Sequence, residues 1–442
     1  MRTPHLRRLA RTALAVAASC AAGITTQAHA SGFGLREGDT DWMATDFAGD
    51  TAKAYDASTV WSNPAGMVRL NQNEIDGSIN GIFPSSTFSG ANFMAPGVPT
   101  PGTTGKNVAQ SVATAGLYAV WNLSPDFKLG FAADAPYGQR IDNGIDFVGR
   151  YQSLVSSISD EQFTISGAYR INQQWSIGGG PVLDVLSARL TQAIATPLSA
   201  VAGDAYGDVH GTDVSAGFNL GVMYQPTPDL RFGVDYRSRI QHDISGTQSV
   251  GVPAAYTSAL FGLAGQIIAA ELAAQNSPAS TKLTLPDSVT IGGYWQATPQ
   301  LALLSDASWT DWSLLQTINI VPTSAFAAPT SLQENWRNTY SISVGANYQL
   351  TRTLMLQGGG GFDQSPVTDS NRTSRIPDSN RYEIAIGAQY QVLPNLTLQA
   401  AYAHIFFASA EITSVSSTTS GTLVGKYSTS ADTASLGVKY RF

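Results

Sequence analysis

The sequence is short of cysteine, histidine and charge, and it has no long apolar run. Its single cysteine, Cys20, lies within the first thirty residues. Those residues read as a secretion signal. Arg2, Arg7, Arg8 and Arg11 are followed by the short apolar segment "TALAVAASCAAGI" and then by "AHA" at 28–30. Cleavage there predicts a mature chain that begins at Ser31, without a disulfide, a thiol nucleophile or a cysteine metal ligand. The alternative, a lipoprotein cut before Cys20, needs Ala17 in a place where it fits poorly. Loss of the signal removes four basic residues and no acidic ones, so the net charge moves from −7 to −11. An acidic chain without a basic run argues against nucleic-acid binding. Only His210, His242 and His404 remain. None is paired with a distinctive serine, and no metal-ligand spacing appears. The expectation is therefore no catalytic residue, no metal and no cofactor.

Beyond the signal there is no apolar stretch of roughly 18 residues, so no helical membrane span is expected. The charged fraction of 13% is about half the usual value. A secreted chain with little charge and no long apolar run fits an outer-membrane β-barrel, whose strands alternate lipid-facing and lumen-facing residues. The C-terminal "ASLGVKYRF" supports this. Leu436, Val438, Tyr440 and Phe442 alternate with Ser435, Gly437, Lys439 and Arg441. A terminal Phe442 on such a strand resembles the signal read by the outer-membrane assembly machinery.

Period-2 alternation recurs along the chain. In "VSAGFNLGVMYQ", Val214, Ala216, Phe218, Leu220, Val222 and Tyr224 share one face. In "LRFGVDYRSRI", Leu230, Phe232, Val234, Tyr236 and Ile240 oppose Arg231, Asp235, Arg237, Arg239 and Gln241. Short turns are expected at 124–126, 171–174, 226–229, 297–300, 350–353 and 393–395. Long polar or mixed loops are expected near 87–110, 138–160, 191–212, 243–281, 313–337, 364–380 and 409–425. Six turns and seven loops join fourteen antiparallel strands, the first starting near Asn73 and the last ending at Phe442. The expected architecture is all-β: a transmembrane barrel over 73–442, with residues 31–72 as a small, mostly helical plug. That N-terminal segment shows no strand alternation and is too short for a core of its own.

The segment "AGDTAKAYDASTVWSNPAGMVRL" resembles the N-terminal signature of the FadL/TodX family of outer-membrane transporters. "SGAYRINQQWSIGGG", "DYRSRIQHDISG", "LTLPDSVTIGGYW", "WTDW" and "GFDQSPVTDSNRTSRIPDSNRYEIAIG" resemble further family blocks, in family order. The resemblance implies a fourteen-stranded barrel plugged by an N-terminal hatch. It implies passive uptake of long-chain fatty acids or of aromatic or aliphatic hydrocarbons. The route would run from an outer-loop groove to a lumen pocket, then sideways beneath a kink in strand three. Outer-membrane lipid would receive the molecule, and the working unit would be a monomer. A general porin is the rival, and an outer-membrane lipase a remote one.

Four groups of residues carry these expectations. Asn63, Pro64 and Ala65 match the hatch tripeptide, although Asn-Pro is also an ordinary capped turn. "FAADAPYG" falls at the strand-three kink. Phe131, Asp134, Pro136 and Tyr137 should mark a break in pairing with an opening next to Asn63, or else only a strand end. Leu260, Leu263, Ala264, Ile267, Ile268 and Leu272 fall on one helical stripe in the longest outer loop, and Leu260, Phe261, Leu263, Ile267 and Ile268 are the candidate wall of the capture groove. Arg189 and Arg337 lie near the stretches where the resemblance places carboxylate partners. Neither falls cleanly on those positions, which leaves neutral ligands open.

Overall fold

The computed structural model describes residues 32–94, 97–417 and 420–442. The secretion signal at 1–30 lies outside the described residues. Fourteen antiparallel strands form a closed ring. They are β1 (Glu74–Met94), β2 (Val112–Asn122), β3 (Phe127–Asp134 and Gly138–Asp142), β4 (Val155–Arg170), β5 (Trp175–Ile194) and β6 (Ala205–Thr227). Then come β7 (Leu230–Arg237 and Ile240–Gly251), β8 (Ser277–Leu285 and Ser288–Gln296), β9 (Leu301–Thr310 and Thr317–Pro322) and β10 (Thr330–Gln333 and Thr339–Gln349). The ring is completed by β11 (Leu354–Asp363), β12 (Arg381–Leu393), β13 (Leu396–Phe407 and Ala410–Ser417) and β14 (Gly421–Arg441). β1 pairs with β2 on one side and with β14 on the other, from Glu74↔Arg441 to Phe93↔Thr422, which closes the barrel.

The alternation places apolar side chains outside and polar ones in the lumen. On β1, Ile79 is 70% exposed while Asp76, Ser78 and Asn80 are buried. Outward Trp175, Tyr224, Tyr390 and Tyr440 lie near the short-turn end, the aromatic belt of a membrane interface. All six short turns fall where the sequence places them. Several strands run past the bilayer: a span needs about 9–11 residues, and β1 has 21. Its pairing with β14 simply continues into the region expected as loop.

One face assignment fails. Ile240 was expected beside Phe232 and Val234 on the outer face, but it is 4% exposed and points inward. β7 breaks at Ser238–Arg239, where the Ser238 hydroxyl caps the Phe218 amide at 2.9 Å. An irregularity of this kind shifts the register, and a one-residue shift exchanges the two faces. Beyond the break, His242 and Ile244 face the lumen.

Residues 32–72 lie inside the ring. They form α1 (Thr40–Met43), α2 (Asp50–Lys53), α3 (Thr59–Ser62) and a 3-10 helix, Pro64–Arg69. Such short helices have little stability alone. Trp42, Met43, Phe47, Val60, Trp61 and Met67 bury their side chains against wall residues Tyr118, Val120, Ala132, Ala168 and Ala401. Each large apolar group buried in this way contributes about 1.5–3 kcal/mol. The wall admits the plug at glycines: a Cβ on Gly178 of β5 would lie 2.7 Å from the Ala65 nitrogen.

Candidate functional site

β3 is interrupted at Ala135–Tyr137. Pro136 has no N–H for a ladder, and here the strand leaves the wall. Below the break, β3 pairs with β2 from Ala133↔Leu117 to Lys128↔Asn122. Above it, β3 and the chain before β2 meet again, with Asp142 N–H donating to the Val108 carbonyl at 2.7 Å. Between these points Val112–Gly116 of β2 has no β3 partner among the described residues. The gap opens a cavity of about 540 Å³ lined by β2, the break, β4 and Leu35.

The N-terminal segment occupies the inner side of this gap. Leu35 N–H donates to the Pro136 carbonyl at 2.7 Å, and Gly138 N–H donates to the Phe33 carbonyl at 2.9 Å. Thr114 of the bare β2 edge donates its hydroxyl to the Glu37 carbonyl at 3.0 Å. Asp134 accepts from the Tyr118 hydroxyl at 2.8 Å. Any side chain at Gly38 would collide with that Asp134 carboxylate. Phe33 is held by three rings: Tyr137, Trp312 and Trp336, with centroids at 5.9, 5.0 and 5.5 Å.

Toward the long-loop end lies an apolar cavity of about 100 Å³, lined by Phe33, Ile158, Leu190, Ile244, Leu283 and Ile318 among others. Gln139 and Ile158 line both this cavity and the wall opening. The two spaces are neighbours: Phe33 lines the apolar cavity and Leu35 lines the opening.

The Asn-Pro tripeptide lies elsewhere. Asn63 caps the 3-10 helix by accepting from Ala65 N–H at 3.1 Å. Its amide donates to the Thr51 carbonyl at 2.7 Å and to the Val222 carbonyl of β6 at 3.1 Å. The Ser176 hydroxyl of β5 donates to the Ala65 carbonyl at 2.9 Å. The expected opening next to Asn63 is therefore corrected: the hatch residues at the break are Phe33–Gly38. The 3-10 helix reaches β3 below the break, where Met67 packs on Gly130. Phe131 is part of the regular β3–β4 pairing, opposite Ile165.

The outer-loop helix, α4 (Gly262–Ala273), does not bury one stripe. Leu272 is buried and Ile268 packs with it against Tyr256, Val250 and Ala205. Phe261 is half-buried at the helix start. Leu260, Leu263 and Ile267 point away, at 83%, 72% and 48% exposed. The helix is apolar on several sides, so spacing alone could not choose the buried one.

The two arginines differ. Arg189 shares its face of β5 with outward Leu183 and is paired with Asp208, Nη2 to Oδ2 at 2.5 Å. It stands on the outer surface of the barrel, not in the lumen. Arg337 lies at the base of β10, donating Nε–H to the Ser365 carbonyl at 3.4 Å. Its buried Nη2 has no hydrogen-bond partner among the described residues.

Several residues escaped the sequence reading. Phe33 and Leu35 sit in "SGFGL", too short for any periodicity. Trp312 ends the block "WTDW", but only the fold brings it together with Trp336 on Phe33. Arg237 of β7 stacks over the Trp61 ring, 3.5 Å from its centroid, and donates to the Trp61 carbonyl at 2.6 Å. Within the plug, Lys53 pairs with Asp41 at 2.8 Å and Asp50 at 2.7 Å. Burial opposes the Lys53 charge, but the two carboxylates outweigh it and raise its amine above the ordinary value.

Comparisons with known proteins agree with this geometry. Residues 21–442 match the family described as outer membrane protein transport protein (OMPP1/FadL/TodX). A long-chain fatty acid transport protein of Salmonella typhi is 29% identical over 398 residues, covering 84% of this chain and 86% of that one. Outer membrane protein P1 of Haemophilus influenzae is 26% identical over 445 residues, 90% of each chain. A crystal structure of a Pseudomonas aeruginosa FadL homologue superposes with a TM-score of 0.84 at 23% identity, covering 93% of this chain and all of that one. The Ralstonia pickettii toluene transporter TbuX shares the fold with a TM-score of 0.64 at 17% identity, over 92% and 99% of the chains.

Proposed function

Because the chain belongs to the OMPP1/FadL/TodX family of outer-membrane transport proteins, we propose that it carries long-chain fatty acids through a gated side exit in its wall. It is an outer-membrane channel for hydrophobic compounds, not an enzyme. The observation that carries the route is the adjacency of two spaces, the apolar cavity lined by Phe33 and the β3 opening lined by Leu35, which share Gln139, Ser157 and Ile158. A hydrophobic molecule would meet the exposed side of α4, enter the cavity, displace Phe33 and leave through the gap. Lateral release suits such a cargo, because lipid is a better solvent for it than water. The hatch tripeptide Asn63-Pro64-Ala65 would hold the plug against β5 and β6 while the Phe33–Gly38 segment moves. The channel would act as a monomer, inserted by assembly machinery that reads Phe442.

Uptake of labelled oleate by cells whose own fatty-acid transporter is deleted tests this reading. Expression of this chain should restore saturable uptake, and failure to do so would remove the fatty-acid assignment. One observation favours a second ligand class. Among the described residues no lysine or arginine lines the apolar cavity, where His210 is the one ionisable side chain, and an unpaired carboxylate is costly in such a place. Toluene uptake that exceeds oleate uptake would establish neutral hydrocarbons instead.

A further inference from the structure

The lumen face of β4 leads from the apolar cavity to the wall opening. Ile158 lines both spaces, and Asp160, the next residue on that face, lines the opening. A head group that passes Ile158 meets Asp160 next. Asp160 is 1% exposed, and its Oδ1 has no hydrogen-bond partner among the described residues. Its Oδ2 accepts from the Gln162 amide at 3.4 Å, and the same amide donates to Asp184 Oδ2 of β5 at 2.7 Å. Gln162 stands opposite Asp184 in the β4–β5 ladder, so the two carboxylates are diagonal neighbours on one face.

Behind Asp184 lies the fully buried His242 of β7. Asp184 Oδ1 and His242 Nε2 are 3.4 Å apart, and neither has a hydrogen-bond partner among the described residues. His242 Nδ1 is 3.0 Å from Asp213 Oδ2 of β6, whose side chain is 21% exposed. Three carboxylates thus share one imidazole, and among the described residues no lysine or arginine lies within ion-pair distance of them. Uncompensated buried charge is expensive, and a group in such a place takes up a proton instead. The cluster is a store of protons whose unpartnered end, Asp160, stands in the wall of the opening. The other ionisable groups lining that opening are Asp134 and Tyr137 at the break, with Arg140 and Glu161 exposed at the rim. The plug contributes only Leu35 there, and Arg237 of β7 is engaged with Asp235 at 3.8 Å and with the Trp61 ring. Acids outnumber the one cation in the lining, which disfavours an ionised carboxylate in transit.

We propose that the wall opening passes a fatty acid as the neutral acid, and that Asp160 supplies the proton, refilled through Asp184, His242 and Asp213. This rests on the side-exit reading above and adds to it the charge state of the cargo. In the step, the O–H bond of the Asp160 carboxyl breaks and an O–H bond forms on the cargo carboxylate. Asp160 is left ionised and recovers a proton by way of Asp184 and His242. Asp213, the exposed end of the network, takes the replacement from water. One proton joins each cargo carboxylate, and nothing is oxidised or reduced. The head group then enters lipid without the cost of desolvating a charge.

Uptake of labelled oleate and of labelled oleyl alcohol tests this in cells whose own fatty-acid transporter is deleted. The alcohol has the same tail and no carboxylate to protonate. Asp160→Asn keeps the shape of the side chain but has no acidic proton. At neutral pH it should slow oleate uptake about 100-fold, the lower end of what a positioned proton donor contributes, and leave the alcohol unchanged. Acidifying the medium into the carboxylic-acid range should return oleate uptake toward the wild-type rate, because the cargo then brings its own proton. His242→Gln should lower the maximal oleate rate and not the half-saturating concentration. It decides the matter if Asp160→Asn fails to fold, as judged by heat-modifiable gel migration. Asp243→Asn, on the exposed outer surface, should change neither cargo. Equal losses for oleate and oleyl alcohol would overturn the proton step and leave the side exit standing. So would wild-type oleate uptake in a folded Asp160→Asn or His242→Gln. Absence of oleate uptake in the wild type would overturn both readings.

Discussion

Phe33 and Trp312 meet edge to face, with ring centroids 5.0 Å apart and planes at 79°. One belongs to the start of the plug and the other to the loop inside β9. Their contact holds the N-terminal segment in the β3 gap, between the apolar cavity and the opening.

Phe33→Ala should release that segment without unfolding the barrel. Phe33 is 4% exposed, and truncating a buried phenylalanine costs about 3–5 kcal/mol. The loss falls locally, because the hydrogen bonds that tie this segment to β1, β2 and β3 remain. Hydrogen exchange at residues 33–38 should speed up by at least tenfold, while gel migration of the folded barrel stays the same. Unchanged exchange at the Leu35 amide would show that the rings do not hold the gate.

Gly38→Val should displace the same segment by a different route. Its side chain would occupy the space of the Asp134 carboxylate, which the Tyr118 hydroxyl holds in place. Either Asp134 loses that bond or residues 37–38 shift away from β2. Oleate uptake at low concentration should change by several-fold, and the double variant Gly38→Val/Asp134→Ala should recover toward wild type.

Asn63→Ala should loosen the plug at β6 and not at β3. It removes the cap and two donations to buried carbonyls, about 1–3 kcal/mol. Exchange should rise at residues 63–69 and at Thr51 and leave Phe33–Leu35 protected. Slower uptake with that pattern would mean the tripeptide acts by supporting the hatch. Faster exchange first at 33–35 would restore a direct link to the exit.

Arg189→Ala should have no effect on oleate affinity, since its guanidinium pairs with Asp208 outside the lumen. Arg337→Ala is the informative partner, because Arg337 keeps a buried nitrogen without an acceptor among the described residues. A several-fold loss of affinity for oleate, with none for toluene, would identify it as a carboxylate partner. Equal affinities in both variants would exclude both arginines.

The plug should respond to pH near 6. Burial raises the Asp50 carboxyl from 3.8 to about 6, against the opposing pull of Lys53. A raised carboxylate value means that the folded plug holds the proton more tightly than the unfolded one. The stabilisation from Asp50 is thus complete below about 3.8 and is lost as pH rises through about 6. The tryptophan-fluorescence midpoint of the plug should fall across that window, and Asp50→Asn should flatten the fall.

Strand number, turn positions and the inward or outward sense of most side chains were legible in the sequence. Period-2 alternation is a local property, and the terminal "GVKYRF" and each short turn declare themselves within a few residues. The failures lie where a local pattern is cut or where two distant segments meet. Ile240 changed sides because of a break two residues earlier. Arg189, a candidate carboxylate partner by its place in the sequence, stands outside the lumen, because charge near a loop base does not reveal its face; only the β5 register does. The α4 stripe split because an all-apolar helix offers no preferred side.

The sequence by itself determined a fourteen-stranded, lipid-embedded wall with a plug-length N-terminus: alternation sets the two faces of every strand, as it would in a soluble sandwich, and the secretion signal, the terminal Phe442 and the aromatics near strand ends select lipid for the apolar face. Only the tertiary structure decided which part of the plug stands at the exit. Asn63 carries the visible motif, yet Phe33–Gly38 fills the gap, because that gap needs a short extended segment to satisfy the backbone groups freed by Pro136. It alone decided that Gly38 of the plug meets β1, where the Ser78 hydroxyl and the Asn80 amide donate to its carbonyl at 2.6 and 3.2 Å. Their separation in sequence holds no record of it, since docking of the plug into the closed ring is what brings them together.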